Sequence, residues 1–165
     1  MQNQTLKDIE IVAVNDGSID NSIKVLNDLA RKDSRIKIVD YQPNHGALYA
    51  RAMGILNSTG EYILNLDADD KLYSNDALEF LYNRAKNSNL DVVLFSRIIL
   101  YPNGENNIDI RFKIFDRIIY QPELYEITFN KYNQLRDYLI WNKLTKKEVL
   151  LKAYKFLEKR IFGEK

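Results

Sequence analysis

Gly60-Glu61-Tyr62-Ile63-Leu64-Asn65-Leu66-Asp67-Ala68-Asp69-Asp70 sets an apolar run between a glycine that ends the preceding segment and three closely spaced carboxylates. Tyr62 to Leu66 reads as a buried strand with acids gathered at its carboxyl end. At an effective dielectric of about 20, two such charges roughly 4 Å apart repel by on the order of 4 kcal/mol, so three together call for a counter-charge. Hard oxygen donors of this kind suit magnesium or manganese, metals that commonly arrive with a diphosphate. A solvated acidic turn is the competing reading, because aspartate is common where strands end.

Working upstream, Ile9 to Val14 is β-branched and nearly continuous in apolar character, a pattern expected of a strand buried on both faces, and Asn15-Asp16-Gly17-Ser18 terminates it. Ser18 or Asp20 can cap the next helix, where Ile23, Leu26, Leu29 and Ala30 recur at helical spacing. Ile36 to Val39 reads as a second strand, closed by Asp40 and the loop Gln42-Pro43-Asn44-His45-Gly46. From Ala47 to Leu56, Leu48, Ala52, Ile55 and Leu56 share a helical face. The resulting β-α-β-α-β order points to right-handed crossovers and a doubly wound α/β sheet, whose ligands sit at the carboxyl ends of the strands. Asp16 and the acids of 67–70 both fall at such ends, which favours a binding rim over a solvated turn.

Downstream, Asn75 to Lys86 is expected to be helical, with Leu78, Leu81, Tyr82 and Ala85 facing inward, and Asp91 to Phe95 reads as another strand. Ile98 to Tyr101, Pro102-Asn103-Gly104 and the run Phe112 to Tyr120 suggest a looser antiparallel region. Thr145-Lys146-Lys147-Glu148 has the form of a capping box opening a last helix, with Leu150, Tyr154, Leu157 and Ile161 on one face. No repeat, low-complexity tract or flexible linker interrupts the chain.

The 165 residues suffice for one domain with a core, and 45% hydrophobic with 28% charged is ordinary globular composition. With 24 basic and 23 acidic residues the formal charge is +1, so no global field favours nucleic acid or an anionic membrane, and anion recognition must be local. The absence of cysteine excludes disulfides, thiolate metal sites and cysteine nucleophiles, and a single histidine argues against His-rich metal sites and most Ser-His schemes. No basic leader with an apolar core opens the chain, and no apolar run approaches the roughly 20 residues of a membrane helix. The simplest expected location is cytoplasmic, with membrane association through a partner or acceptor left open.

Three segments carry a family resemblance: Val14-Asn15-Asp16-Gly17-Ser18-Ile19-Asp20-Asn21-Ser22; Asn44-His45-Gly46 through Ala50-Arg51 and Gly60-Glu61-Tyr62-Ile63; and Leu66-Asp67-Ala68-Asp69-Asp70. In this order and spacing the chain resembles the family 2 glycosyltransferases of the GT-A fold. The resemblance is strong from Thr5 to Phe95 and weaker through Trp141-Asn142-Lys143-Leu144. It implies a Rossmann-like, doubly wound nucleotide-diphospho-sugar transferase fold and metal-dependent transfer of a sugar from a nucleoside diphosphate sugar, a UDP-sugar first, to a hydroxyl of a glycan or other acceptor, with inversion. Asp16 then matches the aspartate that hydrogen-bonds the base, and Arg51 a basic position near the nucleotide. Asp67-Ala68-Asp69 matches the DxD motif, whose first carboxylate faces the ribose and whose last holds Mn2+ or Mg2+. Asp70 extends the motif, and whether Asp69 or Asp70 is the closer metal ligand stays open. Residues 1–100 would form the nucleotide-sugar-binding half and 101–165 a partial acceptor-side region.

Against the family pattern, the usual first strand is missing, and its place lies between the strands expected around Ile9–Val14 and Glu61–Leu66. The acidic residue that would accept the acceptor's proton has no match, since Glu164 is a poor candidate, and the catalytic residue is left unassigned. The chain therefore reads as truncated at both ends, and a non-catalytic fragment or nucleotide-binding scaffold is the alternative function. A receiver-like phosphotransfer module is disfavoured because Lys71 is misplaced for it. An EF-hand over Asp16 to Asn27 is disfavoured because Asn21 stands where glycine is needed and Asn27 where glutamate is needed. His45 reads as a loop residue, Trp141 as core more than acceptor pocket, and the tyrosines as packing.

Overall fold

The computed structural model describes residues 1–109 and 142–162; the expected strand at Phe112 to Tyr120, Trp141 and Glu164 lie outside the described residues. The elements are β1 (Ile11–Asp16), α1 (Ser22–Ala30), β2 (Ile36–Tyr41), α2 (Ala47–Asn57), β3 (Tyr62–Leu64), α3 (Ala77–Asn87), β4 (Val92–Leu94), β5 (Arg97–Leu100), β6 (Asn106–Asp109), β7 (Lys143–Lys146) and α4 (Lys147–Phe162). Alternation of strand and helix holds through β4, as the periodicity predicts. β1 and β2 are parallel, in register from Ile11 opposite Ile36 to Asp16 opposite Tyr41. The strand runs to Asp16, two residues beyond the apolar stretch, because its ladder with β2 continues that far. In the region expected to be loosely antiparallel, β5 and β6 form a hairpin around Pro102-Asn103-Gly104, closed by the Gly104 N–H donating to the Tyr101 carbonyl, with β6 lying ahead of the expected Phe112 to Tyr120 run.

The sheet is split. β1–β2 forms one ladder and β3–β7–β4 another, and among the described residues no strand is hydrogen-bonded to both β1 and β3. The gap lies where the missing strand was expected. One side-chain clamp crosses it: the Glu10 carboxylate accepts the backbone N–H groups of Thr59 and Gly60 and the Thr59 hydroxyl, tying the start of β1 to the entry of β3. Burial by itself raises the pKa of Glu10, but these donors and the nearby Lys37 outweigh it and hold the group below the ordinary glutamate value.

β7 was not foreseen as a strand. It inserts antiparallel between β3 and β4, with Ile63 and Val92 on either side of Thr145 and with Leu64 and Val93 on either side of Leu144. The expected capping box is thereby overturned. Thr145 is a buried ladder residue and α4 begins at Lys147, so Thr145 cannot stand at the helix cap. Leu144 packs with Leu81 and Ala85 of α3 in the core, flanked by Tyr62, Leu64, Val93 and Phe95.

α3 buries Leu78, Leu81 and Ala85, as its spacing predicts. Its N-terminal N–H groups are served from a distance: the Gln4 side chain accepts the Leu78 N–H at 2.9 Å and donates to the Ser74 carbonyl at 2.8 Å. A buried glutamine at position 4 thus takes the capping role that Asp76 does not. On α2 only Ala52 and Ile55 of the expected face are buried, while Leu48 and Leu56 are exposed. Asp20, rather than Ser18, serves the start of α1, its carboxylate accepting the Ser22 N–H at 2.9 Å. α4 lies against α2. Leu150 and Tyr154 of its expected face are partly buried; the side chains of Leu157 and Ile161 lie outside the described residues.

Candidate nucleotide and metal site

Asp16, the last residue of β1, accepts two backbone N–H groups from the loop that follows β2. Its Oδ1 takes the His45 N–H and its Oδ2 the Gly46 N–H, each at 2.8 Å, while Asn44 Nδ2 donates to the Asp16 carbonyl at 2.6 Å. Two glycines permit this closeness. Gly17 has φ of +68°, and a Cβ there would lie 2.5 Å from the Asn44 nitrogen. Gly46 opens α2 at φ of +88° and ψ of 166°, a region essentially reserved for glycine. The loop therefore carries Asp16 as a structural clamp, with one further lone pair on each carboxylate oxygen directed elsewhere.

Three rings, one of them from that loop, gather here. His45 stacks on Tyr49 with centroids 4.5 Å apart and planes tilted by 31°, Tyr49 meets Tyr41 edge-on at 5.3 Å, and Tyr41 lies 5.9 Å from His45. The Tyr41 hydroxyl is buried and beyond hydrogen-bonding geometry of any described partner. Burial first, and the neighbouring Asp16 carboxylate second, push its pKa up to about 12.

Arg51, on the second turn of α2, reaches Asp67 just past β3: one guanidinium nitrogen lies 2.8 Å from Asp67 Oδ1 and 3.1 Å from Oδ2. The counter-charge that the acidic cluster calls for is thus partly supplied from within the chain. Asp67 to Asp70 form a turn closed by the Asp70 N–H on the Asp67 carbonyl at 3.1 Å, with Asp69 and Asp70 exposed. Among the described residues no three acidic or histidine side chains converge on one metal-sized point. Asp69 and Asp70 are the exposed carboxylates of this turn, and magnesium sites commonly take one or two carboxylates and complete an octahedral shell with phosphate and water.

Tyr154 of α4 was expected only as a packing residue. It lies half-buried near Arg51, where burial pushes its hydroxyl pKa up while the guanidinium works against the rise. Helical spacing signalled its inward face but not this neighbour. The calcium-loop reading fails on geometry, because from Ser22 onward its residues form α1.

A family profile described as glycosyl transferase family 2 matches residues 1–152. The chain belongs to that family. Among its relatives, glycosyltransferase GlyG of Streptococcus pneumoniae is 30% identical over 161 residues, covering 98% of this chain and 50% of the relative. An uncharacterized glycosyltransferase, EpsJ of Bacillus subtilis, is 31% identical over 158 residues, 91% of this chain and 43% of its own. A cholesterol galactosyltransferase of Borreliella burgdorferi is 46% identical over 91 residues, 55% of this chain and 25% of its own. This family 2 chain therefore spans between a quarter and a half of the length of these relatives. Membership brings with it the GT-A fold, and the mixed α/β architecture with parallel and antiparallel strands agrees. Among the described residues no helix is long and apolar enough to cross a membrane.

Proposed function

We propose that this chain carries the donor side of a glycosyltransferase that moves a sugar from a nucleoside diphosphate sugar, a UDP-sugar first, to the hydroxyl of a glycan or other acceptor. The observation that carries the reading is the Arg51–Asp67 pair beside exposed Asp69 and Asp70 at the carboxyl end of β3. In this reading residues 1–100 bind the donor and 101–165 contribute to the acceptor side.

The acceptor oxygen attacks the anomeric carbon, the bond from that carbon to the diphosphate oxygen breaks, and the nucleoside diphosphate leaves with the electron pair, inverting the centre. The acceptor's proton passes to a base that is not assigned. Asp16 accepts from the base of the nucleotide through the lone pairs its loop contacts leave over, and Asp67 faces the ribose. Arg51 offsets charge growing on the departing diphosphate. Asp69 or Asp70 would hold Mn2+ or Mg2+, which when bound supplies further positive charge at the same phosphates.

A second reading, nucleotide binding without turnover, is favoured by the separation, among the described residues, of β1–β2 from β3–β7–β4, since the proposed donor rim draws on both ladders. Incubation with a panel of UDP-sugars and manganese, followed by release of free UDP, separates the two. Release above the metal-only control supports transfer chemistry. Saturable UDP binding with no release supports the scaffold, and neither binding nor release contradicts both.

A further inference from the structure

We propose that His45 is a stacking platform for the base of the donor nucleotide, a role that rests on the donor reading above and extends it to a residue first read as mere loop. Its backbone is fixed before any ligand arrives: the N–H groups of His45 and Gly46 are both held by Asp16, and Asn44 is tied to the Asp16 carbonyl. Fixing an exposed ring in advance spares the ordering cost that binding otherwise carries.

The ring itself is backed rather than buried. Tyr49, one helical turn further on, stacks behind it at 4.5 Å, and Tyr41 braces Tyr49 edge-on at 5.3 Å, yet His45 stays exposed. An exposed imidazole held at a set angle by two tyrosines offers a planar surface to another planar ring. The Asp16 carboxylate accepts the His45 backbone N–H at 2.8 Å and still has acceptor capacity for a ring N–H. A flat face next to a hydrogen-bond acceptor is the chemistry that selects a heteroaromatic base carrying an N–H donor, as uracil does.

The other end of the ligand is addressed from the same helix. From Ala47 to Arg51, α2 climbs roughly 6 Å, and Arg51 then meets Asp67. One rigid element thus sets the spacing between the aromatic surface at its start and the cation near the acidic turn. Ring contacts of this kind tolerate exchange of one aromatic for another, which separates stacking from any role of the imidazole nitrogens.

Calorimetry with UDP and with inorganic pyrophosphate, both in manganese buffer, on the wild type, His45→Ala and His45→Phe tests the proposal. Expected is a loss of about tenfold in UDP affinity for His45→Ala, unchanged pyrophosphate affinity, and near-wild-type UDP affinity for His45→Phe. Wild-type UDP affinity in His45→Ala overturns the stacking role while leaving the donor reading intact. So does an equal loss for UDP and pyrophosphate, or a His45→Phe variant as weak as His45→Ala. Failure of the wild type to bind either ligand defeats the donor reading itself, and the stacking role with it.

Discussion

Arg51 is the residue whose position says most about how the acidic turn is balanced. Its guanidinium sits on Asp67, so it neutralises part of the charge that is proposed to attract a metal ion. Arg51→Gln should therefore have opposite effects on two ligands. Free manganese, titrated without nucleotide, should bind about two- to fivefold tighter, the scale of a partly exposed ion pair, while UDP in manganese buffer should bind more weakly because the proposed phosphate partner is lost. Gly17 makes a second test at this scale. An alanine there meets the Asn44 backbone and must also hold a φ of +68°, so Gly17→Ala should lower unfolding stability by about 1–3 kcal/mol in urea titration. Asp16 as a strand-end acid was legible in the sequence. Its loop contacts were not, because the two backbone donors belong to a segment that only the β1–β2 pairing brings alongside.

β7 holds the second ladder together, since β3 and β4 each pair with it and not with one another. Leu144 is its buried apolar residue, 5% exposed, and Leu144→Ala should cost about 2–5 kcal/mol, read as a lower urea midpoint. A loss near 0.5 kcal/mol would mean that β7 is not a core strand. The acid response belongs to the clamp between the two ladders. Glu10 has a lowered pKa in the folded chain, so its contribution is fully present above the ordinary glutamate value and is lost as pH falls through the lowered one. Glu10→Gln should flatten the decline in stability below about pH 4.3, measured as unfolding midpoint against pH. Helix faces were readable where burial is one-sided, as on α3. They were misread on α2, where Leu48 and Leu56 fit the spacing but lie at the exposed margin. The four residues of β7 carry too short a pattern to declare a strand, and their assignment depends on partners distant in the chain.

At the scale of the whole molecule, strand and helix alternate along the first half, and that pattern is local enough to read directly. Among the described residues the separation of β1–β2 from β3–β7–β4 matches a gap expected from the family pattern, whereas the antiparallel insertion that completes the second ladder was not legible. The proposed donor site shows the same division. Asp16, Arg51, Asp67, Asp69 and Asp70 stand out by type and position, but the Arg51–Asp67 pair, the ring stack behind His45 and the approach of Tyr154 arise only when α2 is laid against β1 and α4. The turn after β3 is proposed to bind the metal-bearing diphosphate of a nucleotide. Calorimetric titration of UDP in manganese buffer into the wild type and into the double variant Asp69→Ala with Asp70→Ala tests this binding. Expected are saturable wild-type binding and at least about a tenfold loss in the variant; equal affinity in the two proteins would overturn the assignment.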